Sequence, residues 1–185
     1  MQEKQKTIYT IGHSIHSIEQ FLAMLKSFGI MMLVDIRSLP GSRKFPQFDK
    51  ENLQIILPEN DIQYLHLLSL GGRQKVKKDS KNTRWRNDSF RGYADYMETD
   101  NFKNAIIELE QIAQQQATAY MCAEVLWWRC HRSMVSDYLK TKGWTVLHIM
   151  SVAKSEEHRY TAPARIVDSD VVYYDENLFD SKNIK

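Results

Sequence analysis

Between positions 122 and 132 the chain sets two thiols, a carboxylate, an imidazole and two guanidinium groups close together: Cys122, Glu124, Arg129, Cys130, His131 and Arg132. Such a set suits three kinds of chemistry. A thiol at the start of a helix meets unpaired amides and the positive end of the dipole, which lower its pKa and make Cys130 a candidate nucleophile. His131 or Glu124 can serve as general acid or base. Arg132 offers a forked donor to a phosphate at the same helix start. The bland alternative is a small buried Cys130, with His131 and Arg132 bonded to neighbouring loops.

A phosphatase loop would need an arginine six positions after its cysteine, and neither Cys122 nor Cys130 has one. A metal would recruit Cys122, Cys130 and His131, with His13 as a fourth ligand. Zinc cysteines usually come in pairs separated by two residues, whereas seven lie between these two, so the reading is of no metal and no cofactor.

Two more polar groups accompany this segment. His13 and Ser14 follow a first predicted strand, and Asp35, Arg37, Ser42 and Arg43 follow a second. Asp35 can orient an arginine or act as a base, and Arg37 and Arg43 suit phosphate or carboxylate. A plain Asp35–Arg ion pair locking two loops is the competing reading. Residues 73–91 carry eight basic side chains against two acidic ones, without apolar periodicity. Trp85, Phe90, Tyr93 and Tyr96 interleave with Arg86 and Arg91, a mix that suits phosphate contact and base stacking. A solvated charge run is the alternative.

The elements that must position these groups follow from periodicity. Thr7 to Ile11 alternates and is β-branched, and Gly12-His13-Ser14 ends it. Ser17 caps a helix with Phe21, Leu22, Leu25 and Phe28 at helical spacing, stopped by Gly29. Met31 to Ile36 is nearly all apolar, as in a strand buried on both faces of a parallel sheet. A short helix from Glu51 to Leu57, a strand from Gln63 to Leu67, helices over Tyr93–Met97 and Phe102–Ile112, and a buried strand over Ala117–Cys122 come next. A helix beginning near Cys130, with Met134, Val135, Tyr138 and Leu139 at core spacing, ends at Gly143. Thr145–Met150 and Val171–Tyr174 read as further strands.

This pattern predicts a three-layer α/β fold, a mainly parallel sheet flanked by helices, with a long basic insertion. Candidate residues then sit at the carboxyl ends of strands, where open α/β sheets bind ligands. A length of 185 residues predicts one domain over 1–185, with a frayed tail over 178–185. With 43% hydrophobic and 26% charged residues and a net charge of +2, the composition is that of an ordinary globular protein. No apolar run approaches the ~20 residues that span a bilayer, and the start leads into a strand, so a cytoplasmic protein with two reduced thiols and no membrane partner is expected.

Ile11-Gly12-His13-Ser14, Asp35-Ile36-Arg37-Ser38, Leu70-Gly71-Gly72, the segment Phe90 to Met97, Cys122-Ala123-Glu124 and Trp127 through Arg132 together resemble the DUF488 family. The resemblance extends to the segment around His148, His158, Thr161 and Ala164. It implies a compact α/β fold and supplies no catalytic residue. At Gly41 the chain departs from the basic residue frequent in that family.

The leading expectation is a phosphate-binding protein that acts on a nucleotide or nucleic acid. Arg37, Arg43, Arg91 and Arg132 would grip phosphate, with His13, Ser14 and Tyr93 beside them, and His131, Asp35 or Glu124 would be acid or base. The runner-up is a non-catalytic nucleic-acid-binding module using residues 73–96. A third reading is thiol chemistry at Cys130.

Overall fold

The computed structural model describes residues 6–41 and 43–175. Ser42 and the 178–185 tail lie outside the described residues. A six-stranded sheet runs in the order β3 (Gln63–His66), β2 (Met32–Asp35), β4 (Thr118–Cys122), β1 (Thr7–Gly12), β5 (Thr145–Ser151), β6 (Lys154–Glu157). The first five strands are parallel, and β6 closes one edge as an antiparallel hairpin partner of β5.

Alternation along the central strands divides the core between two faces. Leu33, Ala119 and Met121 pack with Phe21 and Leu25 of α1 (Ile18–Ser27) and Leu53 of α2 (Lys50–Ile56). Val34 and Tyr120 pack with Tyr93 of α3 (Asp88–Met97), Phe102 and Ile106 of α4 (Asp100–Gln115), and Met134 and Leu139 of α5 (Arg132–Thr141). This is the three-layer α/β arrangement expected. All five residues of β4 are buried, as a strand covered on both faces requires.

β1 and β4 are neighbours, yet β1 sends its chain to α1 on one face and β4 sends its chain to α5 on the other. Diverging exits of this kind open a crevice at the carboxyl edge of a sheet. Gly12 allows the two exits to approach, because a Cβ there would fall 1.8 Å from the Glu124 carbonyl oxygen.

Three expectations need correction. The helix expected from Tyr93 starts at Asp88, since the Asn87 side chain accepts from the amides of Ser89 and Phe90 and supplies a cap. The charge run around Asn87 hid it. The helix expected from Cys130 starts at Arg132, with Cys130 extended between a 3₁₀ turn at Trp127–Arg129 and the helix. The terminal strand is β8 (Asp170–Val172), paired with β7 (Arg165–Val167) in a separate ribbon.

The basic segment has no regular structure before Asp88 but is tied down. Buried Asp95 accepts from the Lys77 amide, Ser80 Oγ and Asn82 Nδ2. Arg84 donates to the Pro163 carbonyl and to Asp175, and Trp85 stacks on Phe90 at 4.5 Å.

Candidate functional site

Asp35 ends β2 fully buried. Its carboxylate accepts from the Arg37 amide, from Arg37 Nε and Nη2, and from the Tyr64 hydroxyl. Its lone pairs are thereby filled, and its place here is to hold Arg37. Arg37 Nη1 donates to His13 Nε2 at 3.2 Å. A guanidinium only donates, so the His13 proton sits on Nδ1, which donates to the Ser14 carbonyl at 3.0 Å. Burial and then the Arg37 charge push the His13 pKa down to about 4, which keeps the ring neutral at neutral pH.

Across β4 from this lock lies a second group. Cys122 ends β4 and Cys130 precedes α5; the two sulfurs and His131 Nδ1 all lie within 4.8 Å of one another. His131 Nε2 donates to the Ile36 carbonyl at 3.1 Å, and Nδ1 faces the sulfurs, 3.7 Å from Cys130 Sγ. The ring fits over Gly72, where a Cβ would meet Nδ1 at 2.4 Å, and its edge contacts Tyr93 with centroids 5.0 Å apart. Interaction with the neighbouring Cys130 holds Cys122 well below the usual thiol range, whereas burial pushes Cys130 well above it.

An open cleft of about 510 Å³ runs over these groups, lined by Arg37, Ser38, Gly72, Arg73, Phe90, Glu124, Arg129 and the two thiols with His131 among others. A second lobe of about 480 Å³, lined by His13, Ser14, Phe45 and Leu126, shares Arg37, Leu39, Ala123 and Glu124 with it. The structure thus brings His13, Ser14, Arg37, Glu124, Cys130 and His131 to one groove.

Other expected residues are placed differently. Arg132 is 1% exposed, and its Nη2 donates to the Glu124 and Val125 carbonyls, which stitches the β4 exit loop to α5 instead of reaching the groove. Tyr93 is fully buried and donates to the Leu70 carbonyl. Arg91 donates from Nε to the Trp85 carbonyl. Arg43 is exposed on the loop between Gly41 and Phe45, two residues that line the second lobe. Sequence reasoning gave no ligand role to Arg129 or Ser38, and it reached Arg73 and Phe90 only through the basic segment; Arg73 and Arg129 are both exposed in the cleft lining. The proximity of Leu70-Gly71-Gly72 to Arg73 was the available signal.

A second histidine cluster lies sealed beneath Trp127. Thr10 Oγ1, His148, His158 and Asp137 form a continuous hydrogen-bonded chain with steps of 2.8, 2.9 and 2.9 Å. Asp137 also accepts from the Thr161 amide and hydroxyl and from the Tyr173 hydroxyl. Trp127 stacks on His148 at 4.4 Å. Burial, then the neighbouring His158 and Arg132, lower the His148 pKa to about 2.

No helix among the described residues is long and apolar enough to cross a membrane. No curated protein and no solved structure matches the chain. The model of a family described as a domain of unknown function, DUF488, matches residues 17–139, from the N-cap of α1 to within α5. That match takes in β2, β4, both thiols and His131, about two thirds of the chain, and the protein accordingly belongs to the DUF488 family.

Proposed function

We propose that the groove binds a phosphate-containing ligand of nucleotide size and that the protein acts on it in the cytoplasm, where two free buried thiols remain reduced. The observation that carries this reading is the charged lining of the larger lobe. Arg73 and Arg129 are exposed there beside Glu124, the one carboxylate among the described lining residues, at the carboxyl edge of parallel strands. Exposed guanidinium groups suit phosphate oxygens, and the Ser38 hydroxyl and Phe90 ring supply polar and stacking surface for the rest of a nucleotide. A volume of about 510 Å³ lies in the range of small-ligand sites. Glu124 borders the same space, exposed, and is the group to move protons there.

Calorimetric titration with a nucleoside diphosphate and with inorganic pyrophosphate tests this. Arg73→Ala combined with Arg129→Ala should weaken both ligands at least tenfold, about 1.4 kcal/mol, while leaving the unfolding transition in place. Unchanged affinity in that folded variant, or no binding by the wild type at low salt, overturns the reading.

A further inference from the structure

We infer that Cys122, Cys130 and His131 form a binding site for a soft or borderline divalent cation, of which zinc is the type, with its remaining coordination position open to the cleft. The spacing that argued against a metal in the sequence is bridged by the fold: the end of β4 and the entry to α5 return to the same point. Among the described residues, no other trio of histidine, cysteine or carboxylate donors converges so closely.

Three observations point the same way. Cys130 Sγ and His131 Nδ1 are 3.7 Å apart, where ligands at zinc–sulfur and zinc–nitrogen bond lengths on a tetrahedral ion would be separated by about 3.5 Å. The His131 ring is oriented as a metal ligand needs, since its far nitrogen donates to the Ile36 carbonyl and leaves Nδ1 as the donor atom. Cys130 Sγ accepts the Arg132 amide at 3.3 Å, a contact that stabilises charge on the sulfur when it is bound as thiolate.

Two sulfurs and an imidazole nitrogen select borderline-soft ions over magnesium or calcium, which require oxygen ligands. Three protein ligands with one free position is also the arrangement of catalytic rather than structural zinc. Both sulfurs bind as thiolates, any thiol proton still held is released to solvent, and the oxidation states are unchanged. Water or an anionic oxygen from the cleft would complete the coordination. The site stands apart from the phosphate reading, because the ion's own binding is measured without any phosphate ligand.

The test uses the full chain, reduced, stripped with a chelator and titrated with cobalt(II) or zinc. One equivalent should bind, with cobalt giving a thiolate charge-transfer band and the visible bands of a tetrahedral ion. Cys122→Ser and His131→Gln should each lower affinity at least about a hundredfold, and Gly72→Ala, which removes no ligand but crowds Nδ1, by about tenfold. Should the cysteine variants fail to fold, alkylation of the wild type serves: zinc should slow labelling of both thiols together. Substoichiometric cobalt without a charge-transfer band, alkylation rates indifferent to zinc, or a Cys122–Cys130 disulfide in protein kept anaerobic would each overturn the proposal.

Discussion

The two histidine clusters use similar side chains and arrive at opposite conditions. In the chain from Thr10 through His148 and His158 to Asp137, both ring nitrogens of each histidine are engaged, and the Asp137 carboxylate serves three residues. At His131 one nitrogen is committed to the Ile36 carbonyl, while the other faces two sulfurs below an open cleft. The first cluster has its hydrogen-bonding capacity spent inside the fold, and buried polar groups in that state confer stability and a unique arrangement. The second keeps donor capacity facing a space that a ligand can enter. Unspent capacity with access, rather than residue type, separates a candidate site from a polar core.

The arginines repeat the lesson. Arg132 donates to two backbone carbonyls from Nη2 and Arg37 to Asp35 and His13, and both position loops. Arg73 and Arg129 are exposed over the cleft and remain able to meet a ligand.

The strongest way to break this contrast is Asp137→Ala. It strips the acceptor from buried His158, Thr161 and Tyr173, and should destabilise the protein by about 3–5 kcal/mol in urea unfolding. A loss under about 1 kcal/mol would mean that the sealed cluster is not structural.

A smaller effect should appear with pH. His148 and His13 have native pKa values lowered to about 2 and about 4 from 6.5, so below pH 6.5 the unfolded chain binds more protons than the native one. Their contribution is complete above pH 6.5 and is lost as pH falls, His13 down to about 4 and His148 further still. Each should steepen the fall by up to about 1.4 kcal/mol per pH unit. Replacing His148 with Gln should flatten its share of the slope, as measured by denaturant midpoints between pH 7 and 4.5; an unaltered slope would count against a sealed neutral ring.

The smallest change in stability should come from Glu124→Gln. This exposed side chain is the only carboxylate among the described residues lining the larger lobe, so pyrophosphate affinity should rise a few-fold while stability moves within about 0.5 kcal/mol. Weakened binding would instead make Glu124 a ligand contact and sharpen the assignment of the groove.

Much of the framework was legible. Ser17 and Gly29 bounded α1, the nearly all-apolar run Met31–Ile36 announced the strand that spans Met32–Asp35, and the residues after β1, β2 and β4 pointed to the carboxyl edge of the sheet. Side-chain direction was not legible. Arg132 and Arg129 lie three residues apart in one motif, yet one is buried and the other exposed, because the 3₁₀ turn and the extended Cys130 between them reorient the chain before α5 begins. Tyr93 reads as an exposed partner of basic residues, but the Asn87 cap lengthens its helix and turns it into the core.

Local pattern by itself determined the layers, the strand edges and the stretch of chain in which chemistry is concentrated, because periodicity and capping depend on near neighbours. Tertiary structure alone decided which donors remain free. That Cys122 and Cys130 meet His131 Nδ1 rests on two backbone segments returning to one edge, on Gly72 leaving room for the ring, and on a carbonyl from β2's exit fixing its proton. Contacts of that range carry no signature in spacing, and a charged side chain buried on its own backbone reads the same, in sequence, as one left open to a ligand.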